Sequence, residues 1–400
     1  MRILILCTKY SLTESDGWLT NDLAAAFSEH GHEVTVVCLD WTGASNPTTT
    51  TMYGKVSVVN VPASVDRFAF APRVFRNLYK WFFSSHDAIS YVDAHVTGEF
   101  DLLIGFSPAA TTYWLQRHLI KKCRPGRRYM VLWDFFPRSN AELGLVPRGP
   151  IYYVAKKLEA RAIDDFHVVG LMSPANVKFM AKEFSGFKGR SEVLPLWGPA
   201  QFPGDVSRDE VRDQFGLPKD AVIAVFGGQL TPGRGIELLL RVADASRDAL
   251  PRAYFVVAGR GPLEGYLTEQ LKLPRYQNVR FLGQIPRNRY LDFLTVCDIG
   301  LVFSSGALTV PSFPSKTIDY FRAAVPVLGA VEAATDFSHI IETEIGAGYS
   351  STSSDFAKIM ENLEKLVLSA RLRAEMGQRG LAYFKSRMTA SAIVTQILGA

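Results

Sequence analysis

A chain of 400 residues is too long for one ordinary α/β layer and suits two domains of roughly 190 residues each. Its 48% hydrophobic and 21% charged residues exclude a disordered chain. A formal net charge of +5 falls short of the dense basic stripe that nucleic acid requires, so no nucleic-acid partner is expected, and it suits an anionic small ligand or an anionic membrane surface.

Residues 2–7 (RILILC) and 34–39 (VTVVCL) are short β-rich runs. Between them Leu19, Leu23, Ala26 and Phe27 share one helical face, and Gly31 stands where such a helix would stop. Strand, helix and strand at this spacing make a βαβ unit. Further strands are expected at 56–61, 101–106, 129–133 and 167–172, giving a parallel sheet flanked by helices. The opening MRILILCTKYS is too short an apolar run for a signal peptide. Cys7, Cys38, Cys123 and Cys297 have no metal-ligand spacing; Cys7, Cys38 and Cys297 lie in apolar stretches and read as buried thiols of a reducing, cytoplasmic setting. No run of 18 apolar residues occurs, so no membrane span is expected.

The stretch 194–207, LPLWGPAQFPGDVS, is rich in Pro and Gly and reads as a linker. It separates an amino-terminal lobe, 1–197, from a carboxy-terminal lobe, 205–383. The second lobe has strand candidates at 221–226, 253–258, 278–282, 298–303 and 326–330, with helical stretches at 235–247, 263–272, 287–296 and 314–324. Two doubly wound α/β lobes are expected, with a ligand-binding cleft at the carboxyl ends of their strands.

FGGQLTPGRGIELLL (226–240) is the most informative segment. A strand ends at Phe226 and a helix starts near Gly235. Gly227 and Gly228 let backbone amides approach a ligand, the helix N-terminus attracts an anion, and Arg234 adds a fork suited to phosphate oxygens. The plainer reading is a βα connection whose glycines only make the turn. No G-x-G-x-x-G follows the first strand and no Walker lysine pattern occurs, which weakens dinucleotide and P-loop readings.

AGRGP (258–262), FLGQIPRNRYLDFLTVCDIGLVFSS (281–305) and PSFPSKTIDYFRAAVPVLG (311–329) follow in order. With the glycine loop they resemble the donor lobe of the retaining GT-B glycosyltransferases of family 4. The resemblance is strong over about 221–350 and extends to HGHEVTVV (30–37) and WDFFPRSNAELG (133–144), the latter resembling bacterial transferases that build surface polysaccharides, above all those passing amino- or deoxy-sugars to lipid-linked acceptors. It implies a nucleotide-diphosphate-sugar donor, transfer with retention to a lipid-linked or saccharide acceptor, and a donor site of Gly227, Gly228, Gln229, Arg234, Gly259, Arg260, Gly261, Pro262, Ser315, Lys316 and Asp319. It also implies that the last helix, about 384–400, packs back on the amino lobe.

The sequence departs from the family in two places. Of two carboxylates eight positions apart, the second is here Asp319 and the first is Pro311; Lys316 and the amides of 312–316, at a helix N-terminus, are the expected substitutes. In the phosphate loop an Arg and a Lys are replaced by Gln229 and Arg234, leaving one cation unless Lys316 or Arg260 assists. The plainer readings are a solvated carboxylate for Asp319 and an ordinary surface lysine for Lys316.

Sugar transfer requires stabilisation of an oxocarbenium-like centre and of the leaving diphosphate. No D-x-D occurs, so no metal and no cofactor is expected, with Arg234 and helix amides in the metal's place. Arg234 and Asp319 are joined as candidate catalytic groups by Asp134, after the strand YMVLW, which is placed to orient or deprotonate an acceptor hydroxyl; a turn cap is the alternative. Gly17 is expected to let backbone approach the diphosphate. Glu142 and Glu159 are noted as polar cleft candidates, with solvated faces the plainer reading of both.

Residues 67–83, RFAFAPRVFRNLYKWFF, contain no acid and set Phe75, Leu78, Tyr79 and Phe82 on one helical face with Arg73, Arg76 and Lys80 on another, the pattern of an interfacial helix on an anionic membrane. Arg117, Lys121, Lys122, Arg124, Arg127 and Arg128 form a second basic cluster, so peripheral attachment to the inner membrane face is expected. The alternatives are an inactive nucleotide-sugar-binding subunit, which Pro311 keeps open, and a GT-B-like epimerase, disfavoured because His86, His95, His118, His167 and His339 form no cluster in the sequence.

Overall fold

The computed structural model describes residues 1–13, 17–41, 46–63, 70, 73–144, 146–204, 206–304, 306 and 308–400. Its chain divides into two units, Met1–Pro195 with Ala390–Ala400, and Leu196–Thr389.

In the first unit the strands are β1 (Arg2–Cys7), β2 (Glu33–Asp40), β3 (Thr48–Met52), β4 (Val56–Pro62), β5 (Leu102–Phe106), β6 (Arg127–Leu132), β7 (Val168–Leu171) and β8 (Arg190–Val193). They form one sheet in the order β3-β4-β2-β1-β5-β6-β7-β8, parallel except for β3 against β4. Ile3 to Leu6 and Leu102 to Ile104 are wholly buried because helices cover both faces of the sheet, which is why these strands read as unbroken apolar runs. β3 (TTTTM) and β8 (RSEV) are the edge strands and escape the sequence reading, since neither has an apolar face to bury. All four cysteines are buried and free, and Cys7 pairs with Cys38 in register across adjacent strands.

The last helix, Ala390–Gly399, lies against the Leu19–Glu29 helix of the same unit. Arg127 donates to the carbonyls of Ile397 and Leu398 at 3.0 and 2.9 Å, placing a cation on the exposed carbonyls of a helix C-terminus.

The second unit has β9 (Val222–Gly227), β10 (Ala253–Ala258), β11 (Val279–Gly283), β12 (Ile299–Phe303), β13 (Val327–Val331) and β14 (Gly348–Thr352), all parallel, in the order β11-β10-β9-β12-β13-β14. Ile236, Leu239, Leu240 and Ala243 of the Ile236–Ala249 helix pack on Phe226, Phe255 and Leu301 in its core. β14 (GYSST) is another polar edge strand missed from the sequence. In each unit the strand order reverses beside the first strand, between β1 and β5 and between β9 and β12. Ligands of open parallel sheets bind at the carboxyl ends of strands at such points.

Candidate functional site

At the carboxyl end of β9, two glycine loops run against each other. Gly228 N–H donates to Ala258 O at 3.0 Å, Leu230 N–H to Arg260 O at 2.9 Å, and Leu263 N–H to Leu230 O at 3.0 Å. A Cβ on Gly259 would stand 1.8 Å from the Gly228 carbonyl oxygen, and one on Gly261 would stand 2.4 Å from that of Leu230. These two glycines are therefore required by backbone packing, before any ligand is considered. Gly227 is occluded differently: its Cβ would meet the Tyr290 hydroxyl at 1.8 Å.

Gly228 and Gln229 are exposed, and Lys316 reaches over Gly228. Lys316 is a half-buried residue whose ammonium lies 3.5 Å from the Phe226 ring centroid. Burial, then the neighbouring Arg234 guanidinium, pushes its pKa down to about 7. Among the described residues neither side chain has a hydrogen bond or an ion pair. Two unneutralised cations thus converge beside an exposed glycine at the point where the strand order reverses.

Gly235 is the N-cap of the Ile236–Ala249 helix in the left-handed region at φ 78°, where a Cβ would come 2.5 Å from that of Phe303. The helix starting at Lys316 is only seven residues long. Its Thr317 and Ile318 amides already bond the Pro314 and Ser315 carbonyls, at 3.2 and 3.1 Å. These two amides lie just beyond the expected array at 312–316, in which Pro314 has no N–H to offer. Asp319 is half-buried and held by Arg322 at 2.9 Å, and Arg322 also donates to the Gln201 carbonyl. Ser315, Arg260 and Pro262 are exposed.

Two tyrosines complete this edge and were not singled out from the sequence. Tyr320 is fully buried; its hydroxyl accepts from Gly227 N–H at 3.1 Å and lies 3.1 and 3.2 Å from the Val225 and Leu301 carbonyl oxygens. It fills the gap where β9 and β12 part, after the Gly300–Val225 pair. Burial raises both the Tyr320 and Tyr290 phenols well above their ordinary value, so both stay protonated. Gly300, whose Cβ would strike the Tyr320 ring at 2.5 Å, was the one trace of this in the sequence.

In the first unit, Ser107 accepts at its hydroxyl from the N–H groups of Trp133 and Asp134, at 3.0 and 3.2 Å, and Asp134 is exposed at the end of β6. Glu159 is wholly buried, against the expectation of a solvated face. Its oxygens accept from the Ala109 and Ala110 amides at 3.2 and 2.5 Å, so it occupies the N-terminus of the Ala109–Cys123 helix itself. Burial pushes it up to about 8, the two amides opposing and Asp134 adding to the rise. Glu142 is not solvated either. Its side chain is 7% exposed and bonded to Arg138, which also bonds Glu183. These residues face inward because Arg138 and a helix N-terminus offer them donors that sequence spacing does not reveal. Gly17 is buried against Asn21, whose carbonyl accepts from Ser11 and Trp18 N–H groups and closes the loop. Lys9, at the same edge, lies over the Trp18 ring and is pushed down to about 8 by burial.

Of the basic amphipathic stretch, residues 67–69, 71 and 72 lie outside the described residues, and Arg73–Phe82 is helical. The expected single apolar face is divided: Phe75 is 63% exposed, whereas Phe82 and its neighbour Trp81 pack on Ala110, Phe136 and Ala155. Phe70, Phe83 and Trp114 are also exposed. Much of the second basic cluster is spent internally. Lys122 bonds Asp93 at 2.6 Å, Arg117 bonds Tyr113 and lies 3.9 Å from Asp165, Arg124 lies 3.9 Å from Glu99, Arg128 bonds His167, and Arg127 caps the last helix. Among the described residues no helix is long and apolar enough to cross a membrane, and no three His, Cys, Asp or Glu side chains are grouped to hold a metal ion.

Residues 207–382 match the family model of glycosyl transferases group 1. The protein named "Putative teichuronic acid biosynthesis glycosyltransferase TuaC" of Bacillus subtilis is 31% identical over 152 residues, covering 37% of this chain and 34% of that protein, so the chain spans about a third of that relative's length. Among solved structures, sucrose-phosphate synthase from Thermosynechococcus elongatus superposes over 100% of this chain and 98% of its own with a TM-score of 0.75 at 15% identity. Anabaena HepE in complex with UDP superposes over 100% and 99% with a TM-score of 0.68 at 14% identity. The fold is the two-unit Rossmann-like architecture of GT-B glycosyltransferases.

Proposed function

We propose that this chain is a glycosyltransferase that moves a sugar, with retention as in family 4, from a nucleotide-diphosphate-sugar to a lipid-linked or saccharide acceptor in surface polysaccharide or glycolipid assembly. The observation that carries this reading is the pair of unneutralised cations, Lys316 and Arg234, beside exposed Gly228 at the carboxyl end of β9. A diphosphate leaving group supplies the missing negative charge: the half-buried Lys316 ammonium is already partly stripped of water, and exposed Arg234 offers its fork to the phosphate oxygens. The bound UDP of the HepE neighbour and the group 1 match of 207–382 support a nucleotide donor. Asp319 is the candidate for the donor's ribose and Asp134 for the acceptor hydroxyl. On this reading Lys316 and Arg234 take the charge-stabilising part that a metal ion would otherwise play, and no cofactor is called on.

A thermal-shift series with UDP-, GDP-, ADP- and dTDP-sugars tests this. One nucleotide is expected to raise the melting temperature of the wild type and to raise that of Arg234→Ala far less. No shift at millimolar ligand for any of them sinks the donor-site assignment. A shift without sugar release in the presence of acceptors would instead favour the inactive-subunit reading that Pro311 suggests.

Attachment to an anionic membrane at the cytoplasmic face belongs to the same proposal, now resting on exposed Phe75, Phe83 and Trp114 and on Arg76, since Lys80 lies over the Trp41 ring and donates to its carbonyl. The protein is expected to float with anionic vesicles at low salt and to be released at high salt, with Phe75→Ser/Phe83→Ser lowering the bound fraction severalfold. Failure to float at low salt removes this part.

A further inference from the structure

At the carboxyl ends of β12 and β13 the second unit holds a carboxylate to which the donor reading assigns no task. Glu332 follows β13 directly and is 1% exposed. A carboxylate in that position is costly unless its oxygens are bonded. Its Oε2 accepts from the Ser304 hydroxyl at 2.7 Å and its Oε1 from the Ser312 hydroxyl at 2.5 Å. Both serines are also held through the backbone: Ser304 N–H donates to Ala330 O at 2.9 Å, and the Ser312 carbonyl accepts from the Thr335 hydroxyl at 2.6 Å.

A hydroxyl has one proton, and here each serine gives it to Glu332. What remains for a ligand is oxygen lone pairs, so each half-buried serine can present an acceptor and no donor. A hydroxyl bonded to a carboxylate is also a stronger acceptor, because the two hydrogen bonds polarise each other. The segment 304–315 contains no acidic residue of its own. It nevertheless leads directly into Lys316, four residues after Ser312, and β12 lies beside β9 in the sheet. The hydroxyls therefore belong to the same strand edge as the unneutralised cations.

The geometry points to Ser304 and Ser312 as a pair of oxygen acceptors, fixed by Glu332, that receive hydroxyl groups of the sugar carried by a nucleotide-sugar donor. Glu332 is a positioning residue in this arrangement and acts through the two serines. The inference rests on the donor reading above, and a sugar, dense in hydroxyl donors, is the ligand class that such acceptors fit.

The test measures, by calorimetry on the full chain, binding of UDP, GDP and dTDP alongside UDP-glucose, UDP-N-acetylglucosamine, GDP-mannose and dTDP-rhamnose. Ser312→Ala and Ser304→Ala remove an acceptor. Glu332→Gln keeps the shape but donates from its amide, which turns one serine proton outward. Each variant is expected to bind the favoured nucleoside diphosphate within twofold of wild type and the matching nucleotide sugar about tenfold more weakly, the worth of one hydrogen bond. Diphosphate binding also reports that each variant is folded. A ratio of sugar-nucleotide to diphosphate affinity unchanged in both serine variants overturns the inference and leaves the donor reading intact. If the wild type binds none of these nucleotides, the donor reading fails and the inference falls with it.

Discussion

Replacing Lys316 by methionine is expected to lower sugar transfer by about 10²–10³-fold, because on the proposed donor reading it removes a cation aimed at the leaving diphosphate. The same replacement should make the empty protein no less stable, since the wild type holds a desolvated ammonium over Phe226 and against Arg234 with no anion to compensate. The sign of the pH dependence follows. The folded pKa of about 7 lies below the ordinary value of 10.5, so between these values the unfolded chain binds more protons than the folded one. The destabilising contribution is complete below pH 7 and is relieved as pH rises from about 7 toward 10.5. Ligand binding runs the other way. A bound diphosphate favours the charged lysine, so at pH 8 binding takes up a proton, and affinity falls as pH rises through 7. Calorimetry in buffers of different ionisation enthalpy reads that proton directly. Equal proton uptake in Lys316→Met, or turnover within threefold of wild type, would refute the assignment.

Gly259→Ala should be the most destabilising of the single-methyl changes at this edge, by about 4 kcal/mol, with a fall in melting temperature of about 8–16 °C. The new Cβ would stand 1.8 Å from the Gly228 carbonyl oxygen, at a φ of 154°. Neither backbone can step aside, because Gly228–Leu230 is bonded on both sides of the contact to Ala258 and Arg260. Gly265→Ala is the matched control: it lies in the Glu264–Gln270 helix with nothing within 4 Å of its Cβ, and helix propensity alone predicts a gain of about 0.5–1 kcal/mol. A melting point for Gly259→Ala within 2 °C of wild type would show that the two loops are not packed as described. The result bears on the proposed site too, because it separates glycines that hold the two glycine loops together from Gly228, which is exposed beside Lys316.

The central strands could be anticipated because buried parallel strands are written as apolar runs, and the glycine loop because a tight turn before a helix leaves few residue choices; the order of the strands in each sheet came only from the structure. Arg234 and Lys316 were legible as cations near such a loop. Their lack of counter-charge was not, because it depends on what the fold brings to them. Glu142 and Glu159 show the reverse: each looks like a surface acid in the chain and is buried on donors from other elements. Arg117, Lys122 and Arg124 are likewise paired with Asp165, Asp93 and Glu99, all outside the acid-free stretch between Asp101 and Asp134.

By itself, then, the sequence determined the two α/β units and the place of the glycine loop between β9 and the helix after it, since periodicity, glycine and strand composition act over a few residues. Only the tertiary structure decided which charges remain unneutralised, that Tyr320 fills the gap between β9 and β12, and that Ser304 and Ser312 share Glu332. Those depend on contacts between residues far apart in the chain, where burial and hydrogen-bond geometry, not spacing, set the chemistry.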